Sequence, residues 1–196
     1  MHIRKILAIS LLLATTLHAG AADLLDTVKQ RGTLRVAMEG TYPPFNYKEN
    51  GQLAGFEVEL SNALAQKLGV KADFTTGEWS ALLAGLQAGK YDVVINQVGI
   101  TDKRKETFDF SEPYTISSPQ LIVRQDEKRD FKTLADLRGK KLGLGQGTNF
   151  ADMAKAVGGI DIKTYPGSTE YLQDLALGRI DAAMNDSLLI PYIIKK

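Results

Sequence analysis

One pattern occurs twice in this chain and limits the fold more than any other feature. Leu83, Leu86, Gly89, Lys90 and Asp92, then three apolar residues and Asn96, match in order Leu172, Leu175, Gly178, Arg179 and Asp181, then three apolar residues and Asn185. The leucines lie at helical spacing, the glycine is a helix stop, and the apolar run has the character of a short strand. A second echo lies upstream of each copy: Arg31, Gly32, Glu39, Gly40 and Thr41 parallel Arg138, Gly139, Gln146, Gly147 and Thr148. Glycine after a helix is common, so either match alone says little. Two matches in the same order predict two lobes of related topology.

Each lobe reads as strands alternating with helices, an α/β fold with largely parallel sheets. Strands are expected at 34–38, 91–95, 120–123, 141–144 and 180–184. Phe56, Leu60, Ala63, Leu64 and Leu68 recur at helical spacing before Gly69. Trp79, Leu82, Leu83 and Leu86 mark a second helix, and 151–157 and 169–177 two more. The first lobe is assigned to residues 23–122 and the second to 123–196. Ligands of open α/β sheets bind beyond the carboxyl ends of the strands. That places the candidate site in loops 39–45, 96–104, 146–150 and 185–187, where two lobes would close on a ligand.

The start of the chain speaks to compartment. Arg4 and Lys5, an uncharged run at 6–17 and the small residues 19–22 follow the layout of a secretory signal, here residues 1–22. The apolar run is shorter than the roughly 20 residues that a spanning helix needs. The chain has no cysteine, which leaves no lipid-modified N-terminal Cys, no disulfide and no thiolate chemistry. Arg4 and Lys5 leave with the signal, so the 24 basic residues become 22 against 23 acidic ones. No basic face for nucleic acid or anionic lipid is implied. The two histidines, His2 and His18, lie in the signal, and no nucleophile elbow, phosphate loop or metal spacing appears. Neither a catalytic residue, a cofactor nor a metal is expected.

Several loop residues could hold a small charged ligand. Thr101 is placed to cap a short helix containing Arg104, whose guanidinium could grip a carboxylate with two parallel hydrogen bonds. Among Lys103 and Lys105, it could equally be a solvated side chain. Asp186 ends an apolar strand, where it would pair with an α-ammonium group or cap the following turn. Tyr42, beside Pro43 and Pro44, and Trp79, the one tryptophan, could wall the ligand. Trp79 could also be core, as Phe45 is expected to be. The glycines at 143, 145 and 147 follow G-x-G-x-G and not the dinucleotide spacing.

Residues 55–60 (GFEVEL) with Leu64, Ala65 and Leu68 resemble the signature of bacterial family 3 solute-binding proteins, the polar amino-acid receptors of ABC importers. So do residues 32–34 (GTL), 42–45 (YPPF), 100–104 (ITDKR), 110–114 (FSEPY) and 178–181 (GRID). The resemblance implies a two-lobed periplasmic binding protein type II fold. It implies a monomer in the periplasm, holding a free amino acid and meeting an ABC permease of the inner membrane. Carried over by position, Arg104 is the α-carboxylate arginine, Asp186 the α-ammonium aspartate, Tyr42 and Trp79 the aromatic walls, and Thr148 and Asn149 polar contacts at the second-lobe helix. Gly99 stands where Ser or Thr is common and offers only its backbone. Residues 94–98 and 108–117 look most like the cystine-binding branch, with Glu39, Asn96 and Gln97 facing the distal end of cystine. Basic amino acids, glutamine and cysteine are competing ligands. Relatives continue past residue 196, so a C-terminally truncated fold is expected, with both lobes incomplete. An alternative on the same fold is a cyclohexadienyl dehydratase-like enzyme using Glu39 as its acid. A sensor module of a membrane kinase is a third reading, without a membrane helix in this sequence to support it.

Overall fold

The computed structural model describes residues 23–194; the expected signal at 1–22 lies outside the described residues. The chain opens with α1 (Leu24–Arg31), β1 (Thr33–Met38) and three short strands, β2 (Thr41–Tyr42), β3 (Asn46–Glu49) and β4 (Gln52–Ala54). Then come α2 (Phe56–Leu68), β5 (Lys71–Thr76), α3 (Trp79–Gln87), β6 (Val93–Val94) and α4 (Asp102–Lys105). β1 is the centre of a parallel sheet of order β5-β1-β6, and β2, β3 and β4 form an antiparallel meander beside it.

The second lobe holds β7 (Pro119–Ile122), β8 (Lys141–Gly145), α5 (Asn149–Val157), β9 (Asp161–Tyr165), α6 (Ser168–Ala176) and β10 (Ala182–Asp186), then α7 (Ile190–Ile193). Its sheet runs β7-β10-β8-β9, parallel except for β7. Strand β7, expected at the end of the first lobe, pairs with β10 and sits in the second sheet. Strands β5 and β9 escaped the reading because Lys71–Thr76 and Asp161–Tyr165 are polar edge strands with little apolar content.

The repeat has a physical job. Each copy ends its helix, turns through a left-handed glycine, Gly89 at φ +68° or Gly178 at φ +72°, and reaches an aspartate. Asp92 accepts from the backbone N–H of Arg35 at 2.8 Å, and Asp181 accepts from that of Lys141 at 2.8 Å. The backbone N–H groups of the two aspartates return the bond, to the carbonyls of Arg35 and Lys141. Each pair clips the incoming strand to the central strand of its sheet. Asp92 is also bonded by the guanidinium groups of Arg31 and Arg35, the latter at 2.8 Å.

Apolar clusters line both faces of the second sheet. One gathers Leu142, Leu144, Phe150 and Met184, the other Tyr171, Leu175, Ile180 and Ile190. In the first lobe Val36, Met38, Val58 and Ile95 pack together, and Leu82 and Tyr91 cover the opposite side of β1. Helix α2 has the expected bounds but a different inner face: Glu57, Val58, Ser61 and Ala65 are buried, whereas Phe56 and Leu64 are exposed. The helix turns this way because the Glu57 carboxylate is an internal acceptor. It receives Asn46 Nδ2 at 2.5 Å, the Tyr114 hydroxyl at 2.5 Å and the Gln97 backbone N–H at 2.7 Å.

Replacing Asp92 by Ala strips a buried backbone donor and two guanidinium groups of their acceptor. We expect a loss of about 2–4 kcal/mol in denaturant-induced unfolding. A loss under about 0.5 kcal/mol would show that the clip is dispensable.

Candidate functional site

A cleft with about 560 Å³ of empty space, partly open to solvent, lies between the lobes. Its walls are the loops after β1, β6, β8 and β10, as the strand-end rule requires, together with the turn after β9. Nine of the ten candidate residues line it: Glu39, Tyr42, Trp79, Asn96, Gln97, Gly99, Thr148, Asn149 and Asp186. Arg104 stands behind Gly99 and Trp79, at the edge of a neighbouring cavity.

Arg104 is held from three sides. Thr101 caps α4 through its hydroxyl, which accepts from the Arg104 N–H at 3.2 Å. The guanidinium donates to the Gly99 carbonyl at 2.8 Å and, across the cleft, to the Gly147 carbonyl at 3.2 Å. It also lies 5.4 Å from the centroid of the Trp79 ring, within cation–π range. None of these partners is a carboxylate. Burial lowers the pKa of Arg104, with only Asp152 acting in the opposite direction. The group is a buried cation with neutral acceptors, short of an anion.

Asp186 is the matching anion in the second lobe. Among the described residues neither Arg104 nor Asp186 has an ion-pair partner within 4.0 Å. The Tyr42 hydroxyl lies 2.8 Å from Asp186 Oδ2 and 2.6 Å from Asn185 Oδ1. A phenol has one proton, so it can satisfy one of these two oxygens at a time. Asn185 Oδ1 also accepts from the Asp186 N–H at 2.7 Å, so both oxygens keep a donor. Tyr42 is thus more than an aromatic wall: it stacks on Phe45, packs with Leu189 and ties the lobes together. Phe45 is core, as expected.

Asn96 and Gln97 reach the cleft but spend most of their polar groups inside the first lobe. Asn96 Oδ1 accepts from the Glu39 N–H at 2.7 Å, and its Nδ2 donates to Glu39 Oε2 at 2.7 Å. Gln97 Oε1 accepts from Thr115 and its Nε2 donates to Glu57. Thr148 caps α5 by accepting from the Ala151 N–H, which leaves Asn149 at the cleft. A β-carbon at Gly99 would sit at ordinary contact distance from the Arg104 and Asn149 side chains, 3.5 Å and 3.6 Å, so packing does not require glycine there.

The sequence resemblance holds when the chain is compared with known proteins. Residues 34–188 match the bacterial extracellular solute-binding proteins, family 3. The L-cystine-binding protein TcyJ of Escherichia coli K12 is 44% identical over 194 residues, covering 97% of this chain and 73% of the relative. The chain belongs to this family. The solved structures agree: the arginine-bound form of a truncated ArgBP from T. maritima superposes with a TM-score of 0.82 at 33% identity, covering 85% of this chain and 79% of that one. The ancestral amino acid-binding protein AncCDT-1, a precursor of cyclohexadienyl dehydratase, gives 0.81 at 36% identity, covering 87% and 77%. The type II binding-protein fold expected from the resemblance is therefore the fold of this family member.

Other cleft residues of this solute-binding protein were not singled out by the sequence. Tyr171 and Asn185 line the second lobe, with Asn185 Nδ2 donating to the Tyr171 hydroxyl. Asn185 is the last residue of the repeat and could have been found by analogy with Asn96. Gly167 and Ser168 follow the unrecognised strand β9 and gave no local signal.

Glu39 carries the clearest titration signature of the cleft. Burial, helped by Glu78, Glu57 and Glu170, raises its pKa to about 7 against the hydrogen bond from Asn96. The folded chain therefore keeps this proton up to about pH 7, whereas the unfolded chain releases it near 4.5. The contribution of Glu39 to stability falls as pH rises between those values and levels off above them. In Glu39→Gln the fall disappears, so the variant gains on the parent by roughly 1–3 kcal/mol between pH 4.5 and 8. Thermal melts of both proteins across that range test this; a constant difference would place the Glu39 proton elsewhere.

Proposed function

We propose that this chain is the extracytoplasmic substrate-binding component of an amino-acid ABC importer, and that it captures its ligand without acting on it chemically. The observation that carries this reading is the uncompensated pair across the cleft, Arg104 in one lobe and Asp186 in the other. An α-amino acid brings the carboxylate that Arg104 lacks and the ammonium that Asp186 lacks. Each charged hydrogen bond so formed contributes about 1.5–3 kcal/mol. The arginine exchanges a carbonyl for a carboxylate when the ligand enters, and Tyr42, Trp79, Gly99, Thr148 and Asn149 bound the ligand around these two anchors.

L-cystine or a related polar amino acid is the ligand of this reading. Similarity to TcyJ over nearly the whole chain supports it. So does the supply of polar groups beyond the amino-acid anchors, with Glu39 toward the distal end and Asn96 and Gln97 supporting it. The protein acts as a periplasmic monomer, exported by residues 1–22 and docking on an inner-membrane permease. Its lobes divide near 23–122 and 123–196, with β7 joining the second.

Calorimetric titration of the full chain with cystine, arginine, glutamine and cysteine tests the reading. At least one should bind, and Arg104→Ala and Asp186→Ala should each weaken it at least tenfold. Unchanged affinity in both variants would remove the proposed anchors. Prephenate should be neither bound at these anchors nor turned over; sustained turnover lost in Glu39→Gln would make the chain an enzyme of the dehydratase type.

A further inference from the structure

Glu57 is fully buried and is not among the residues that line the cleft. Among the described residues no Lys or Arg forms an ion pair with it within 4.0 Å. It stands in the first turn of α2, where the helix dipole favours a carboxylate. Four donors converge on it. Asn46 Nδ2 reaches Oε2 at 2.5 Å; the Tyr114 hydroxyl, the Gln97 backbone N–H and Gln97 Nε2 reach Oε1 at 2.5, 2.7 and 3.3 Å. Burial raises its pKa, and the bonds from Tyr114, Asn46 and Gln97 act in the opposite direction. The donors come from three places: β3, the loop after β6, and the chain that runs from the first lobe to β7.

Asn46 is fully buried as well, and its amide can lie only one way. Its Oδ1 accepts from the Gly40 N–H at 2.7 Å, so its Nδ2 faces the Glu57 carboxylate and also donates to Asn96 Oδ1 at 3.0 Å. Asn96 is constrained in turn. Its Oδ1 also accepts from the Glu39 N–H, which leaves its Nδ2 to donate to Glu39 Oε2 at the cleft. An amide donates at one end and accepts at the other, so a chain of amides has a direction. Here an acceptor at the buried end sets it.

The same carboxylate governs a second path. Gln97 has φ +49°, in the left-handed region that side chains disfavour. Its backbone N–H and its Nε2 both end on Glu57, and its Oε1 accepts from the Thr115 hydroxyl at 2.7 Å. This turn begins the loop to Gly99, whose carbonyl holds Arg104 at 2.8 Å. Tyr114 and Thr115 lie where the chain leaves for the second lobe. Beyond them the Ser187 N–H of that lobe donates to the Ser118 carbonyl at 2.8 Å. Between these two moorings Ile116 is 91% exposed.

We propose that Glu57 is a positioning residue of the amino-acid cleft. It sets the direction of the Asn46–Asn96 amide chain that ends on the cleft, and it moors the first-lobe end of the chain crossing to the second lobe. This rests on the amino-acid reading above and adds a residue that never meets the ligand. Glutamine cannot replace it: whichever way the new amide lies, its Nε2 faces either Asn46 Nδ2 or the Gln97 N–H, and one donor loses its acceptor.

Two measurements on the full chain test this. Without ligand, the Asn96 side-chain amide signals in nitrogen-correlated NMR spectra should move in Glu57→Gln, although Asn96 bonds to Asn46 and Glu39 and not to Glu57. With ligand, calorimetric titration with cystine, arginine, glutamine and cysteine should show Glu57→Gln about tenfold weaker for whichever of them the parent binds. Glu57→Asp keeps an acceptor-only carboxylate and should stay within about threefold of the parent. Tyr114→Phe removes only a hydroxyl from the mooring and should weaken binding about threefold, which decides the matter if Glu57→Gln does not fold. Unmoved Asn96 signals, unchanged affinity in the folded variants, or equal losses in the Asp and Gln variants would overturn the proposal and leave amino-acid capture intact. A parent chain that binds none of the four amino acids would overturn the reading beneath it, and the NMR shift would still test the amide chain.

Discussion

The fold depends on a carboxylate placed where a helix hands over to a strand. The Asp92 side chain has almost no access to water and that of Asp181 is partly exposed, yet each finds the same donor, the backbone N–H at the start of an inner strand. Asp92 does this to β1 and Asp181 to β8. The bond fixes the register of the two strands at their beginnings and so decides which residues emerge at their ends. Asn96 and Asn185 emerge there, one steadying Glu39 and the other beside Asp186. The positions of the cleft residues are thus set at the far side of each sheet, by a contact that never meets a ligand.

Between the lobes the logic is reversed. Inside each lobe several charges are matched, as Asp92 is by Arg31 and Arg35, or Asp181 by Arg129 at 2.8 Å. At the cleft they are not. Arg104 rests on carbonyls, Asp186 on a shared hydroxyl, and Glu39, Glu78 and Glu170 on little beyond Asn96. Unmatched groups of both signs survive only where something else supplies the partner, and their spread over two lobes makes that something a bridge. The cleft thus has an arginine on one side and acids on the other.

Much of this was legible in the sequence, and what was not has physical reasons. The repeat announced two related lobes because its glycine and aspartate are needed by backbone geometry and by a buried N–H, both local demands. Helices α2, α3, α5 and α6 showed through apolar spacing, and the cleft loops followed from the strand ends. The inner face of α2 was misread because Glu57 is buried by Asn46, Gln97 and Tyr114, partners distant in sequence. Strands β5 and β9 were hidden by their polar edges, and with β9 went the turn bearing Gly167. Arg104 was recognised, yet its bond to Gly147 belongs to the meeting of two lobes, which no local pattern records.

The Tyr42 hydroxyl has a wider meaning. It reaches from the first lobe to Asp186 Oδ2 and Asn185 Oδ1 of the second, where Asn185 Oδ1 also holds the Asp186 N–H. The joint between the lobes thus runs through the same carboxylate that faces the cleft, so whatever alters that carboxylate alters the joint as well as the cavity.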